Sequence, residues 1–141
     1  MRIFLASVLF ALAGSVPVAI AQDQQPSETT ETFGAWTVRC RTAAETRNCE
    51  LIHAIQAQNG VLAQLAFGTP PGGDKPLAVV QVPLGVHVAQ AVRITVQPEQ
   101  TALDIPFATC LQIGCIAQRS VEPAELDGMA AGASAELSFA E

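Results

Sequence analysis

The chain has 141 residues, 7 Lys and Arg against 13 Asp and Glu, a net charge of -6, and no basic run. Phosphate neutralisation needs clustered cations, so nucleic acid is excluded as the expected partner. One domain is the size expected, and much of the 50% hydrophobic share is Ala, so the core is modest and gains from cross-links.

Met1-Arg2 opens the chain with a positive charge, and Ile3 to Ala13 is apolar without an acid. Pro17 then breaks the run, and Ala19-Ile20-Ala21 has the small-x-small form of an export cleavage site. Residues 1–21 read as a removed signal peptide, with Gln22 as the mature N-terminus and a periplasmic or secreted destination. The apolar run is too short for a permanent span, so the mature chain is not expected to span a membrane. Gln22 to Thr32 ("QDQQPSETTET") has no large apolar side chain to offset its ordering entropy and reads as a flexible leader, with order beginning at Phe33.

From Phe33 to Glu141 the pattern is mostly β. Short strands are predicted at Phe33 to Cys40, Cys49 to Ala57, Val61 to Phe67, Leu77 to Val82, Val92 to Gln97, Cys115 to Val121 and Ala135 to Ala140. Val92, Ile94 and Val96 alternate with Arg93, Thr95 and Gln97, which marks one dry and one wet face. Gln58-Asn59-Gly60 is hairpin chemistry and makes the second and third strands antiparallel neighbours. "TPPGGD" and "QPEQ" are turns. The single helix predicted is Pro123 to Ala131, with Pro in its first turn, Glu125 and Asp127 near its start and Gly132 as a stop. The fold class is therefore a single-domain antiparallel β-sandwich with at most one short helix.

Four cysteines remain in the mature chain: Cys40, Cys49, Cys110 and Cys115. An even number in an exported protein reads as a disulfide framework. Three connectivities exist in principle. The local pairs Cys40 with Cys49 and Cys110 with Cys115 are favoured because each flanks a short loop between strands. The eight-residue gap spoils a zinc pattern, and neither pair has the C-x-x-C spacing of a thiol oxidoreductase.

Catalytic chemistry finds little support. There is no G-x-S-x-G, and Ser27, Ser120, Ser134 and Ser138 sit in no nucleophile setting. His53 is in phase with Leu51 and Ile55 and reads as a packing residue, with a hydrolase base as the weaker alternative; His87, between Val86 and Val88, is equally ambiguous. Asp74, Glu99 and Asp104 are placed in or near turns as solvated acids rather than a glycosidase pair. Trp36 reads as a core anchor ahead of a ligand-stacking platform. No cofactor or metal is expected.

In "LAVVQVPLGVHVAQ" (Leu77 to Gln90), Pro83 should end a strand and Gly85 permit a bend. The favoured expectation buries Leu84, Val86 and Val88 in the sandwich. The alternative exposes them as a partner or self-association surface.

"FGAWTVRC", the cysteine of "RNCEL", "VVQVPLGV" and "PFATCLQIGC", in that order, resemble the invasion-associated locus B family of exported bacterial proteins, over Phe33 to about Met129. The resemblance implies a periplasmic or secreted β-sandwich of Gram-negative bacteria, linked through some members to host-cell invasion, with no enzymatic activity. The family pattern continues past "AELSF" with a further strand, whereas this chain stops at Glu141. Either the gene is short or the last strand pair is missing, which would leave Ala135 to Ala140 as an open edge liable to pair with another chain. The function read from all this is a noncatalytic binding or envelope-associated protein with an unidentified protein partner in the envelope or on a host cell. The alternative is a periplasmic inhibitor or accessory protein of an enzyme.

Overall fold

The computed structural model describes residues 27–58, 60–98 and 101–141. The expected signal peptide and cleavage site lie outside the described residues, as do Asn59 of the hairpin turn and Glu99 and Gln100 of "QPEQ".

Ten strands and one helix follow one another: β1 (Ser27–Phe33), β2 (Trp36–Ala43), β3 (Thr46–Ala57), β4 (Gly60–Gly68), β5 (Leu77–Val82), β6 (Val92–Gln97), β7 (Thr101–Ile105), β8 (Phe107–Leu111), β9 (Gly114–Ser120), α1 (Pro123–Ala131) and β10 (Ser134–Ser138). A seven-stranded sheet runs β1-β2-β3-β4-β5-β9-β8 and a three-stranded sheet runs β10-β6-β7. Every pairing is antiparallel. Among the described residues the protein is a two-sheet β structure with one short helix.

The core lies between the sheets. Ala63, Leu65, Ala78, Val80, Val82, Cys115 and Ala117 come from β4, β5 and β9, and Val92, Ile94, Val96, Leu103 and Ile105 come from β6 and β7. The alternation in β6 follows from this, because its even positions enter the core and Arg93 and Gln97 stay in water. Fully burying each large aliphatic contributes about 2 kcal/mol. α1 spans the residues the sequence indicates; the Glu122 backbone N–H donates to the Glu125 carboxylate at 2.9 Å and satisfies one orphan donor of its first turn.

Several elements depart from the sequence reading. β1 begins at Ser27, inside the segment expected to be a flexible leader. All seven of its residues are exposed, and it is held by a seven-pair ladder to β2 and by the Glu28–Arg41 ion pair. Backbone hydrogen bonds do not require apolar side chains, so this strand forms without the burial that marks the core strands. β7 and β8 were also missed. β7 is five residues long with only Leu103 and Ile105 buried, and β8 has four exposed residues of five. Asp104, assigned to a turn, is in β7 opposite Arg93. β10 ends at Ser138 rather than Ala140 and stands at one edge of the small sheet.

Cys40 and Cys49 are a cross-strand pair inside the β2–β3 hairpin, and Cys110 and Cys115 are one inside β8–β9. Their sulfurs lie 2.06 and 1.98 Å apart, with Cα separations of 4.0 and 3.9 Å. That close approach belongs to the non-hydrogen-bonded type of antiparallel pair. β2 runs three residues past Cys40 and β3 starts three before Cys49, so the first pair sits within the ladder and not at its loop ends.

Candidate binding surface

The row Leu65–Val80–Ala117 crosses the middle of the large sheet, one side chain from each of three neighbouring strands. Toward one end of the sheet the chain carries ion pairs: Arg39–Glu50, Arg41–Glu28, Lys75–Glu122 and Arg119–Glu125. The carboxyl of Glu125 is held below its ordinary value, first by the hydrogen bond from Arg119 and then by the Glu122 backbone N–H.

Toward the other end, the segments of the large sheet that turn there, residues 54–73, 76–92 and 105–118, carry no Asp, Glu, Lys or Arg, while Glu141 follows Ala140, whose carbonyl accepts from the His87 N–H in the turn after β5. β5 stops at Val82, Pro83 follows, and Gly85 adopts a positive φ of 98° to let the chain turn. Leu84 is 57% exposed and Val88 51% exposed, while Val86 is half-buried against the core. The favoured expectation of three core residues is therefore corrected. Past Pro83 the chain leaves the ladder, and its side chains no longer alternate into the sandwich.

Leu84 has company. Four residues before Ala117, Ile113 stands at the tip of the β8–β9 hairpin, 69% exposed, beside exposed Leu111. Three and four residues before Leu65, Leu62 and Val61 open β4 and are exposed too. The tips are tied to one another. The Gln81 side-chain amide donates to the Ile113 carbonyl at 3.0 Å, and Gly114 packs so close to the Val82 carbonyl that no side chain fits there. The sequence reading named Leu84, Val86 and Val88 and missed Val61, Leu62, Leu111 and Ile113. An isoleucine in a two-residue hairpin turn, where polar residues and glycine are the norm, was the available signal.

The remaining candidates are placed elsewhere. Trp36 packs against the core, tilted on Phe67 with ring centroids 6.4 Å apart. It also borders a cavity of about 530 Å³ lined by Phe33, Leu51, Phe67, Leu126, Met129 and Ala130. His53 lies across the ladder from Trp36, with ring centroids 5.0 Å apart. Its Nδ1 is 2.7 Å from the Ala35 carbonyl. A carbonyl only accepts, so Nδ1 carries the proton and its hydrogen bond is committed to the β1–β2 turn. His87 is held by its backbone, whose N–H donates to the Ala140 carbonyl at 2.8 Å. Asp104 is engaged by Arg93 at 2.7 and 2.9 Å, which lowers its carboxyl pKa through that hydrogen bond. Asp74 is an exposed loop residue. Ser27, Ser134 and Ser138 are exposed strand positions, and Ser120 ends β9. Among the described residues no helix is long and apolar enough to cross a membrane.

Comparison with known proteins places the fold and the family. The invasion protein B homolog of Brucella abortus (strain 2308) is 27% identical over 127 residues, covering 89% of this chain and 69% of its own. Invasion protein B of Bartonella bacilliformis is 22% identical over 128 residues, covering 90% and 68%. The crystal structure of invasion associated protein B from Bartonella henselae superposes with a TM-score of 0.65 at 21% identity, over 79% of this chain and 76% of that one, which establishes likeness of fold. Residues 36–141 match the sequence profile described as Invasion associated locus B (IalB) protein, and the chain belongs to that family.

Proposed function

We propose that this protein is exported and acts as a noncatalytic binding protein at the cell envelope, contributing to host-cell interaction. Export is supported by the charged start, apolar run and small-x-small site of residues 1–21, and by two cysteine pairs at bonding distance, which fit an oxidising compartment. The host-interaction element rests on relatives named for invasion.

The observation that carries the binding reading is the exposure of Leu84, Leu111 and Ile113 on segments that contain no Asp, Glu, Lys or Arg. Contiguous exposed apolar side chains on a small domain commonly mark an interaction site. His53, with its Nδ1 occupied by Ala35, is arranged as a packing and turn-fixing residue. Affinity capture from envelope extracts with wild type and Leu84→Asp tests the reading. The variant should melt with the wild type and lose the captured component; an unchanged capture profile from a folded variant would refute the assignment.

A further inference from the structure

The apolar end of the large sheet has a chemistry that narrows what it binds. Residues 54–73, 76–92 and 105–118 contain no Asp, Glu, Lys or Arg, and they supply the β3–β4 hairpin, the turn after β5 and the β8–β9 hairpin. In antiparallel order these three turns emerge on the same side of the Leu65–Val80–Ala117 row. At about 3.3 Å per residue, three or four residues carry them roughly 10 Å beyond it. Five of the seven exposed large hydrophobics among the described residues are there: Val61, Leu62, Leu84, Leu111 and Ile113.

We infer that this end inserts its apolar tips into the interfacial layer of a lipid bilayer with zwitterionic headgroups. The inference deepens the binding reading above and rests on it for the choice of surface. Three observations select lipid over a protein partner. The side chains come from three separate segments, the start of β4, the turn after β5 and the β8–β9 hairpin, and not from one continuous strand or helix face. Their polar neighbours are neutral amides, Gln56, Gln58 and Gln112, which suit a headgroup layer without selecting a sign of charge. The rest of the chain is acidic, with a net charge of -6, which disfavours an anionic bilayer and leaves apolar insertion as the driving force. The Cys110–Cys115 pair holds the Ile113 tip in place, so insertion costs little further ordering.

Flotation with phosphatidylcholine–phosphatidylethanolamine vesicles tests this on the chain purified in soluble, oxidised form. Wild type should float, equally at low and high salt. Ile113→Asp and Leu84→Asp should each lower the partition coefficient about tenfold. Both positions are exposed, so melting temperatures should be preserved; Glu28→Gln, at the charged end, should float like wild type. The inference is overturned by absence of flotation, by a folded Ile113→Asp that floats normally, by salt-sensitive binding confined to anionic vesicles, or by a wild-type dimer that Ile113→Asp dissociates. If vesicles fail while envelope capture still depends on Leu84, lipid is wrong and the binding surface stands. If both fail, both readings fall.

Discussion

Removing each cysteine pair separately should destabilise the fold by comparable amounts. Cys40 to Cys49 closes a ten-residue loop and Cys110 to Cys115 a six-residue loop. The loss of loop-closure entropy in the unfolded chain is worth about 2.7 and about 2.2 kcal/mol. Packing adds to both. Cys115 and Cys40 are 2% and 6% exposed, whereas Cys110 and Cys49 are exposed. Alanine at the buried member of each pair removes a packed sulfur, at roughly 1 kcal/mol. The paired alanine variants should therefore each lose about 3 to 4 kcal/mol, which for a domain of this size lowers the melting temperature by roughly 10 °C.

Thermal unfolding of the two double variants, with wild type measured oxidised and reduced, reads these values directly. Nonreducing peptide mapping of wild type supplies the pairing. Hydrogen exchange adds a finer expectation. With four of five residues exposed, β8 is bound mainly through its ladder to β9, so its amides should lose protection first when Cys110 and Cys115 are replaced. Melting temperatures within a degree of wild type in both variants would refute the reasoning, as would peptides linking either residue of the first hairpin to either of the second.

Gly114→Ala should cost about 2 kcal/mol or more, because Gly114 holds φ 136° and an added Cβ would overlap the Val82 carbonyl oxygen; a melting temperature within a degree of wild type would count against the close approach of β9 to the end of β5. Glu125→Gln should flatten the acid limb of the stability profile. The Glu125 carboxyl is depressed in the folded state by Arg119 and the Glu122 N–H, so its contribution is present above its ordinary value of 4.5 and is lost as pH falls through the folded value. Melting curves between pH 6 and pH 3 check this, and parallel profiles for the two proteins would sink it.

How legible each element was in the sequence follows from where it sits relative to the core. β6 was plain because both halves of its alternation do physical work: Val92, Ile94 and Val96 are buried while Arg93 and Gln97 face water. α1 was plain because Pro123, Glu125 and Gly132 mark its ends. β1 and β8 were hidden because a strand at a sheet edge can be held by its ladder alone, and Thr-rich or uncharged mixed sequence then shows no period. Leu84 was expected inside because an apolar run is usually core, yet that expectation ended at Pro83, where the chain leaves the sheet. Val61, Leu84 and Ile113 are far apart in sequence, and only the register of β4, β5 and β9 brings them to one end. The three uncharged stretches were visible from the start; their convergence was not.

The distribution of cross-links and burial makes one further connection between fold and function. β4, β5, β6, β7 and β9 supply nearly all of the buried core, while β1, β2, β3 and β8 flank it with few buried side chains. Each cysteine pair secures a flanking strand, Cys40–Cys49 joining β2 to β3 and Cys110–Cys115 joining β8 to core strand β9, where hydrophobic burial is least able to hold the outer strand in register. Covalent closure supplies there what packing supplies in the centre. At the β8–β9 hairpin this has a second effect, because Ile113 is exposed and would otherwise be a mobile tip. Cys110–Cys115, the Gln81 amide and the close contact of Gly114 with β5 hold it in one arrangement. Reduction of that pair should therefore weaken binding at this end even at temperatures where the core remains folded, a separation of stability from binding that a purely structural role for the staple does not produce.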